Sequence, residues 1–308
     1  MEGSRTLAGR RVLFTGAGGQ LGGYLPAALR ALGAEPIAAG HREGPGVDIA
    51  ADLTLPGAAP ALIARTRPDA VIHAAAWTDV DGAERDPGGA RAMNADAAGT
   101  LAAACREAGV HLVAVSTDFV FSGRGGAPYA EDAPADPVSV YGQTKREGEL
   151  AVLAADPGFA VARTAWLYGG HGKHFPRTVL AVLAARGAIE VVDDEAGSPT
   201  FAGDLAGALG ALVAARGAGV FHLVNAGRAT RFGLAREVAR LAGFPPGLVT
   251  PTSTAEFLRK YPLPAARPAD SELRNLRAAA LGIVLRPWEQ AAADYVPRLA
   301  RDLGLPAH

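Results

Sequence analysis

Short apolar runs alternate with helix-length stretches through the first half of the chain. Arg11-Val12-Leu13-Phe14-Thr15, Glu35 to Ala39, Ala70 to Ala74 and Val110 to Val115 read as strands buried on both faces, because their apolar character is continuous rather than alternating. Between them lie Gln20 to Leu32, Ala58 to Arg67, Ala90 to Ala108 and Ser139 to Ala155, each of helical length. Strands separated by helices predict βαβ units with right-handed crossovers, and so an α/β fold with a doubly wound parallel, Rossmann-type sheet.

Past a further strand candidate, Phe159 to Trp166, the pattern loosens and Gly and Pro increase. Strands at Ile189 to Val192 and Gly219 to Val224 and helices near Phe201 to Ala215 and Phe232 to Ala242 predict a smaller second lobe. We therefore expect a dinucleotide-binding domain over residues 1–165 and a mainly substrate-binding lobe over 166–308. No repeat or long linker separates them, so the lobes are expected to interleave around a cleft.

Composition narrows the partners. Thirty Lys and Arg against 31 Asp and Glu give a formal net charge of −1, which supplies no global field for nucleic acid or an anionic membrane. A single cysteine, Cys105, excludes an internal disulfide framework and a multi-cysteine zinc site and suits a reducing, cytoplasmic compartment. No apolar leader precedes the first strand, and no apolar run approaches the roughly 20 residues of a membrane span. Only three of the 30 basic residues are lysines, Lys145, Lys173 and Lys260, so a lysine inside a chemical motif carries extra weight.

Two motifs supply the chemistry. Thr15-Gly16-Ala17-Gly18-Gly19-Gln20-Leu21-Gly22 follows a strand and opens a helix, the context in which glycines let backbone amides approach a dinucleotide pyrophosphate. A structural turn is the alternative. The second strand ends in Ala39-Gly40-His41-Arg42-Glu43, with no carboxylate in the first position to hold a ribose 2′-hydroxyl. Arg42 can instead pair with a 2′-phosphate, which favours NADPH over NADH unless it is merely a solvated loop residue.

The second motif is Tyr141-Gly142-Gln143-Thr144-Lys145, in which i,i+4 spacing puts phenol and ammonium on one helix face. An adjacent ammonium favours the phenolate and is expected to draw the phenol pKa down from its usual value near 10. With six Tyr and three Lys in 308 residues, a chance pair at this spacing is rare. At the end of the strand closing on Val115, Ser116-Thr117-Asp118 offers a hydroxyl where ligands collect in open α/β sheets. Thr117 is the candidate to hold a carbonyl oxygen, with Ser116 or a turn role as alternatives.

The glycine turn, the Ser/Thr strand end and YxxxK together resemble the extended short-chain dehydrogenase/reductase superfamily. Further stretches resemble, in order along nearly the whole chain, its dTDP-4-dehydrorhamnose reductase family: Gly19-Gln20-Leu21-Gly22, Arg67 to Asp81, Ser116 to Phe121, Arg163-Thr164-Ala165-Trp166, and Arg267-Pro268 followed by Ser271. The resemblance implies Tyr141 as proton donor, Lys145 as its electrostatic partner and ribose ligand, and Thr117 as the hydroxyl that orients the ketone. It implies cofactor contacts at Gly16, Gly19, Gln20, Leu21, Asp52, Leu53, Ala76, Trp77 and Thr78, and a sugar site lined by Thr117, Asp118 and Trp166. The implied reaction is hydride transfer to C4 of a dTDP-4-keto-6-deoxyhexose, giving dTDP-L-rhamnose or a close relative.

Some positions depart from the family. Asp270 and His174 stand where the family usually has Asn, and both fall in the expected substrate lobe. Tyr24 and Gly203 occupy positions that in some members supply glutamates to a bridging magnesium, so no metal is expected there. His171-Gly172-Lys173-His174 reads as a loop over the sugar site rather than a metal site. Arg267 can hold the substrate diphosphate or make a structural ion pair. A dehydratase or epimerase on the same scaffold is the competing enzyme reading, but Asp118 is followed by Phe119 rather than the acid used for elimination. A non-catalytic cofactor-binding subunit is the other alternative, and monomer and homodimer both remain open.

Overall fold

The computed structural model of the chain describes residues 6–305. Seven parallel strands form the central sheet, in the order Gly219–His222, Ala160–Thr164, His111–Thr117, Ala70–His73, Arg11–Thr15, Glu35–Gly40, Ile49–Ala50. Successive side chains of each strand go to opposite faces. Val12, Phe14, Ile72 and Val113 pack with Leu25, Leu29, Leu205 and Leu209 on one face, and Leu13, Val71, Leu112 and Val161 pack with Leu62, Ile63, Leu101 and Cys105 on the other. Each fully buried aliphatic side chain contributes about 1.5–3 kcal/mol, and helices on both faces explain why the strands need no polar face.

The chain's second half returns to this sheet. Gly219–His222, expected in the second lobe, instead pairs with Ala160–Arg163 at the sheet edge, and the preceding helix, Ala202–Ala214, packs against Leu25–Ala31. The remaining elements share a separate core in which Val179, Leu183, Leu234, Val238, Tyr295 and Leu299 are buried. Helices Phe175–Arg186 and Trp288–Asp302 fall where no element was predicted. Trp288, Ala291, Ala292, Tyr295, Val296 and Leu299 lie on one face of the latter, a helical stripe obscured in the sequence by Pro287 and Pro297.

Two predicted helices prove discontinuous. Gln20 to Leu32 is a 3-10 turn, Leu21–Gly23, followed by the helix Leu25–Ala31, with Pro26 in its first turn. Ala90 to Ala108 divides into Pro87–Arg91, a π-helical turn at Ala92–Asp96, and Ala97–Glu107. The strand at Phe159 to Trp166 ends at Thr164, because Trp166 takes a left-handed φ of 45° and sends Leu167–Tyr168 into a small sheet with Thr200–Phe201. Among the described residues no helix is long and apolar enough to cross a membrane.

Four histidines are buried in the fold, and burial is the main cause holding each neutral: His73 and His222 are pushed down to about 3, His111 and His174 to about 4. Lys145, Arg163, Arg216 and Arg177 respectively add repulsion to His73, His222, His111 and His174. A folded pKa below the unfolded 6.5 gives stability that is complete above pH 6.5 and lost as the pH falls toward the folded value. Urea unfolding between pH 7 and 4 should therefore show stability falling with pH, each histidine adding a slope of at most about 1.4 kcal/mol per pH unit. His111→Asn should be measurably shallower; a variant profile parallel to the wild type would refute the assignment.

Candidate active site

The glycine turn begins where Arg11–Thr15 ends. Gly16 has φ +76°, and a Cβ there would stand 2.9 Å from the backbone of Ala74 and Ala75, so only glycine allows the two strand ends to approach this closely. Beyond it a narrow slot is lined by Gly16, Gly40, His41, Leu53, Ala75 and Met93, at the carboxyl ends of the strands. Its place beside the glycine turn at the strand ends suits the adenosine half of a dinucleotide. Arg42 is exposed just beyond the slot. Asp52 accepts from the Thr54 hydroxyl at 2.6 Å and amide at 3.0 Å, and those bonds draw its pKa down.

Ala76, Trp77 and Thr78 follow the Ala70–His73 strand and are held by a residue that the sequence reading missed. Asn94, buried in the π-helical turn, accepts from the Trp77 amide at 2.8 Å and donates to the Trp77 carbonyl at 3.2 Å and the Thr144 hydroxyl at 3.1 Å. It ties the Trp77 loop to the Tyr141 helix; a lone amide side chain in an alanine-rich helix was its only sequence signal. Gln20 reaches the other lobe, donating to the Lys173 carbonyl at 3.0 Å, while Leu21 is buried.

The helix Val140–Ala155 starts at Ser139, whose hydroxyl accepts from the Gly142 amide at 3.2 Å. Gly142 lies against Phe119, where a Cβ would collide with the Phe119 carbonyl, so the helix seats closely on the end of the Thr117 strand. Tyr141 is buried edge-on to the Phe119 ring, 5.4 Å between centroids. Thr117 donates to Asp118 Oδ1 at 3.1 Å, and Lys145 Nζ donates to the Val115 carbonyl at 2.8 Å.

The electrostatics differ from the expected lysine-tuned phenol. Burial pushes Tyr141 up to about 12, opposed by the neighbouring Thr117 side chain and reinforced by the Asp118 charge. Burial pushes Lys145 down to about 8, with Glu149 opposing it. The ammonium has a donor committed to a strand carbonyl, and the desolvated phenol is held in its protonated form. Helical spacing therefore brought the two groups to one face without lowering the phenol pKa.

Asp118 is buried, with Oδ2 accepting from Ser271 at 2.5 Å, and burial raises its pKa to about 6. Its bond joins the Thr117 strand end to the segment after Arg267. The Trp166 indole lies against Gly197 and under the Arg231 guanidinium, which sits 3.6 Å from the ring centroid. Nearby, a cavity of about 980 Å³ opens between the small-sheet strand Ile189–Val192, the helix Thr254–Lys260 and the segment ending at Arg267, a volume suited to a nucleotide-sized ligand.

Several expectations for this lobe change. Arg267 is engaged with Asp81 at 2.7 Å and the Ala265 carbonyl at 2.9 Å, the ion-pair alternative. His174 is more than a loop residue: its Nδ1 accepts from the Arg177 amide as a helix N-cap and its Nε2 pairs with the Tyr295 hydroxyl at 2.9 Å. Asp270 is tied to Arg228 at 2.8 Å. Tyr24 Oη accepts from the Gly170 amide at 3.0 Å. Among the described residues no group of three or more His, Cys, Asp or Glu could hold a metal ion.

Beneath the site, Glu149 takes both Arg163 Nε and Nη2 at 2.7 Å, Ser116 Oγ at 2.6 Å and Arg146 Nη1 at 2.7 Å. Burial alone would raise the Glu149 pKa, but these donors and the Arg163 charge outweigh it and leave it lowered. Glu149→Gln would strand the Arg163 charge inside the protein, and urea unfolding at pH 7 should show a loss of about 3–5 kcal/mol. A loss below about 1 kcal/mol would mean that the pair holds nothing together.

The RmlD substrate binding domain family profile matches residues 10–301. A Streptomyces antibioticus protein named probable dTDP-4,6-dihydroxy-2-methyloxan-3-one 4-ketoreductase is 44% identical over 93% of this chain and 95% of its own length. The dTDP-4-dehydrorhamnose reductase of Streptomyces griseus is 42% identical over 96% of each chain. The crystal structure of the Bacillus anthracis dTDP-4-dehydrorhamnose reductase in complex with NADP superposes with a TM-score of 0.84 at 31% identity, covering 93% of this chain and 98% of that one.

Proposed function

The chain belongs to the RmlD substrate binding domain family, a group of nicotinamide-dependent oxidoreductases, and from that premise we propose that it reduces the C4 ketone of a dTDP-4-keto-6-deoxyhexose with NADPH. The reaction that fits best converts dTDP-4-dehydro-L-rhamnose to dTDP-L-rhamnose. The observation that carries this reading is the buried Tyr141 phenol, kept protonated beside the Thr117 hydroxyl at the carboxyl end of the sheet.

Bound nicotinamide would supply the hydride. Gly16, Gly19, Gln20, Leu21, Leu53 and Ala75 to Thr78 would hold the cofactor, with Arg42 at its adenosine 2′-phosphate. NADH remains the alternative donor. Thr117 would donate to the ketone oxygen and orient it. As charge develops there, Tyr141 Oη would release its proton to the forming alkoxide, and Thr117 and Lys145 would then stabilise the phenolate until solvent reprotonates it. Burial keeps the phenol protonated at neutral pH, so it would enter the reaction with its proton in place.

In this reading residues 1–165 with the returning strand Gly219–His222 form the cofactor domain, and the rest of the second half forms the substrate lobe. The enzyme would work as a monomer or homodimer in the cytoplasm, where Cys105, buried and pushed up to about 12 by that burial, stays a thiol.

The test is oxidation of NADPH by the purified protein with dTDP-4-keto-L-rhamnose and, separately, with its epimer, with NMR of the product at C4. No oxidation with either would overturn the assignment and favour a non-catalytic role. Tyr141→Phe should reduce turnover by about 10²- to 10⁴-fold; full activity would refute the proton-donor role. Arg42→Ala should raise KM for NADPH about tenfold and leave KM for NADH unchanged. Equal effects on both cofactors would remove the 2′-phosphate contact.

A further inference from the structure

Resting on the reading of a nucleotide-linked substrate, the geometry points to Arg231 as the residue that grips the diphosphate, with Glu195 as the carboxylate it leaves when the diphosphate enters. Arg267 was the sequence candidate, but its donors are engaged by Asp81 and the Ala265 carbonyl. Arg231 is placed differently. It is the first residue of the helix Arg231–Leu241, and its amide donates to the Glu195 carbonyl at 3.0 Å, which fixes its base to the cavity wall.

The Arg231 guanidinium lies over two aromatic rings, 3.6 Å from the Trp166 centroid and 5.3 Å from that of Phe175. A guanidinium at face-contact distance keeps its N–H groups in its own plane, free to bond at its edge. The nearest Glu195 oxygen stands 3.8 Å from Nε, beyond a well-formed hydrogen bond. Both side chains are mostly buried, 21% and 12% exposed, and both line the large cavity. Arg231 thus combines a fixed plane, a desolvated charge and donors not saturated by its ion pair.

The surroundings favour an anion. The charged residues lining this cavity are Lys173, Arg186, Arg231 and Arg267 against Glu190 and Glu195; with Glu190 held by Lys260 at 2.7 Å and Arg267 by Asp81 at 2.7 Å, Lys173 and Arg186 stand in excess of the Arg231–Glu195 pair. A chain with no net positive charge has therefore gathered cations here. Burial lowers the Arg231 pKa, offset first by Glu195 and then by Asp118. The same guanidinium thus acts on the charge of Asp118 beside Thr117 and faces the cavity, where a diphosphate would replace a 3.8 Å contact with charge-assisted, fork-like bonds. Burial raises the Glu195 pKa, so its ionised form is the costlier neighbour for an incoming anion.

Calorimetric titration with dTDP, and NMR line-broadening titration with thymidine, separates phosphate recognition from base recognition. We expect Arg231→Gln to weaken dTDP about 10- to 100-fold while thymidine changes less than about twofold. Arg231→Lys should fall between, and Glu195→Gln should tighten dTDP. The inference is overturned if Arg231→Gln binds dTDP within about twofold of wild type, if thymidine weakens in the same proportion, or if wild type binds no dTDP. Wild-type affinity for dTDP and its loss in Arg231→Gln, without reduction of either keto sugar, would sink the proposed reaction and leave this inference standing. Reduction of a keto sugar by a variant that keeps its dTDP affinity would do the reverse.

Discussion

The buried pair between Glu149 and Arg163 fastens the chemistry to the fold. Arg163 projects from one strand, Ser116 from its neighbour, and Glu149 from the helix that carries Tyr141 and Lys145 two turns and one turn earlier. Because both charges are almost wholly removed from water, neither can be left without the other, and the bidentate geometry fixes rotation as well as distance. The helix is thereby locked in azimuth, which decides where the phenol sits relative to Thr117. Simple apolar packing would hold the helix on the sheet but would leave its rotation less tightly defined.

Around that lock the same helix is seated by backbone contact and by one amide side chain. Gly142 lets it touch the Phe119 carbonyl, and Asn94 joins Thr144 to both polar groups of Trp77. Trp77 loop, π-helical turn and Tyr141 helix are therefore joined through one side chain. The second lobe is coupled to the first at the strand end through Asp118 and Ser271 and across the cleft through Gln20 and Lys173. A substrate that contacts Trp166 or Arg231 would act on elements already connected to the catalytic strand.

Burial sets the site's protonation states more strongly than pairing does. Tyr141 and Asp118 are pushed up and Lys145 down, each chiefly by removal from water. The result is a neutral phenol, a carboxyl with a pKa of about 6 and a lysine that still carries charge at pH 7, gathered where the Tyr141 helix meets the Thr117 strand end. In the proposed reaction low exposure would also protect the developing alkoxide from competition by solvent, the condition under which fixed donors act most strongly.

The sequence by itself determined the parallel α/β architecture, since continuous apolar strands and intervening helices admit few other folds, and it determined the family through motifs spread in order along the chain. It also pointed to Tyr141, Lys145, Thr117 and the glycine turn, because each depends on local spacing beside a predictable strand or helix. Only the tertiary structure decided that Gly219–His222 closes the central sheet, that Asn94 ties the Trp77 loop to the Tyr141 helix and that Arg267 is engaged while Arg231 lies open to the cavity. Each of those facts joins residues tens of positions apart, and the direction of the Tyr141 pKa depends on how deeply the phenol is buried. Local pattern carries spacing along one element; desolvation and the choice of ionic partner arise only when distant elements pack.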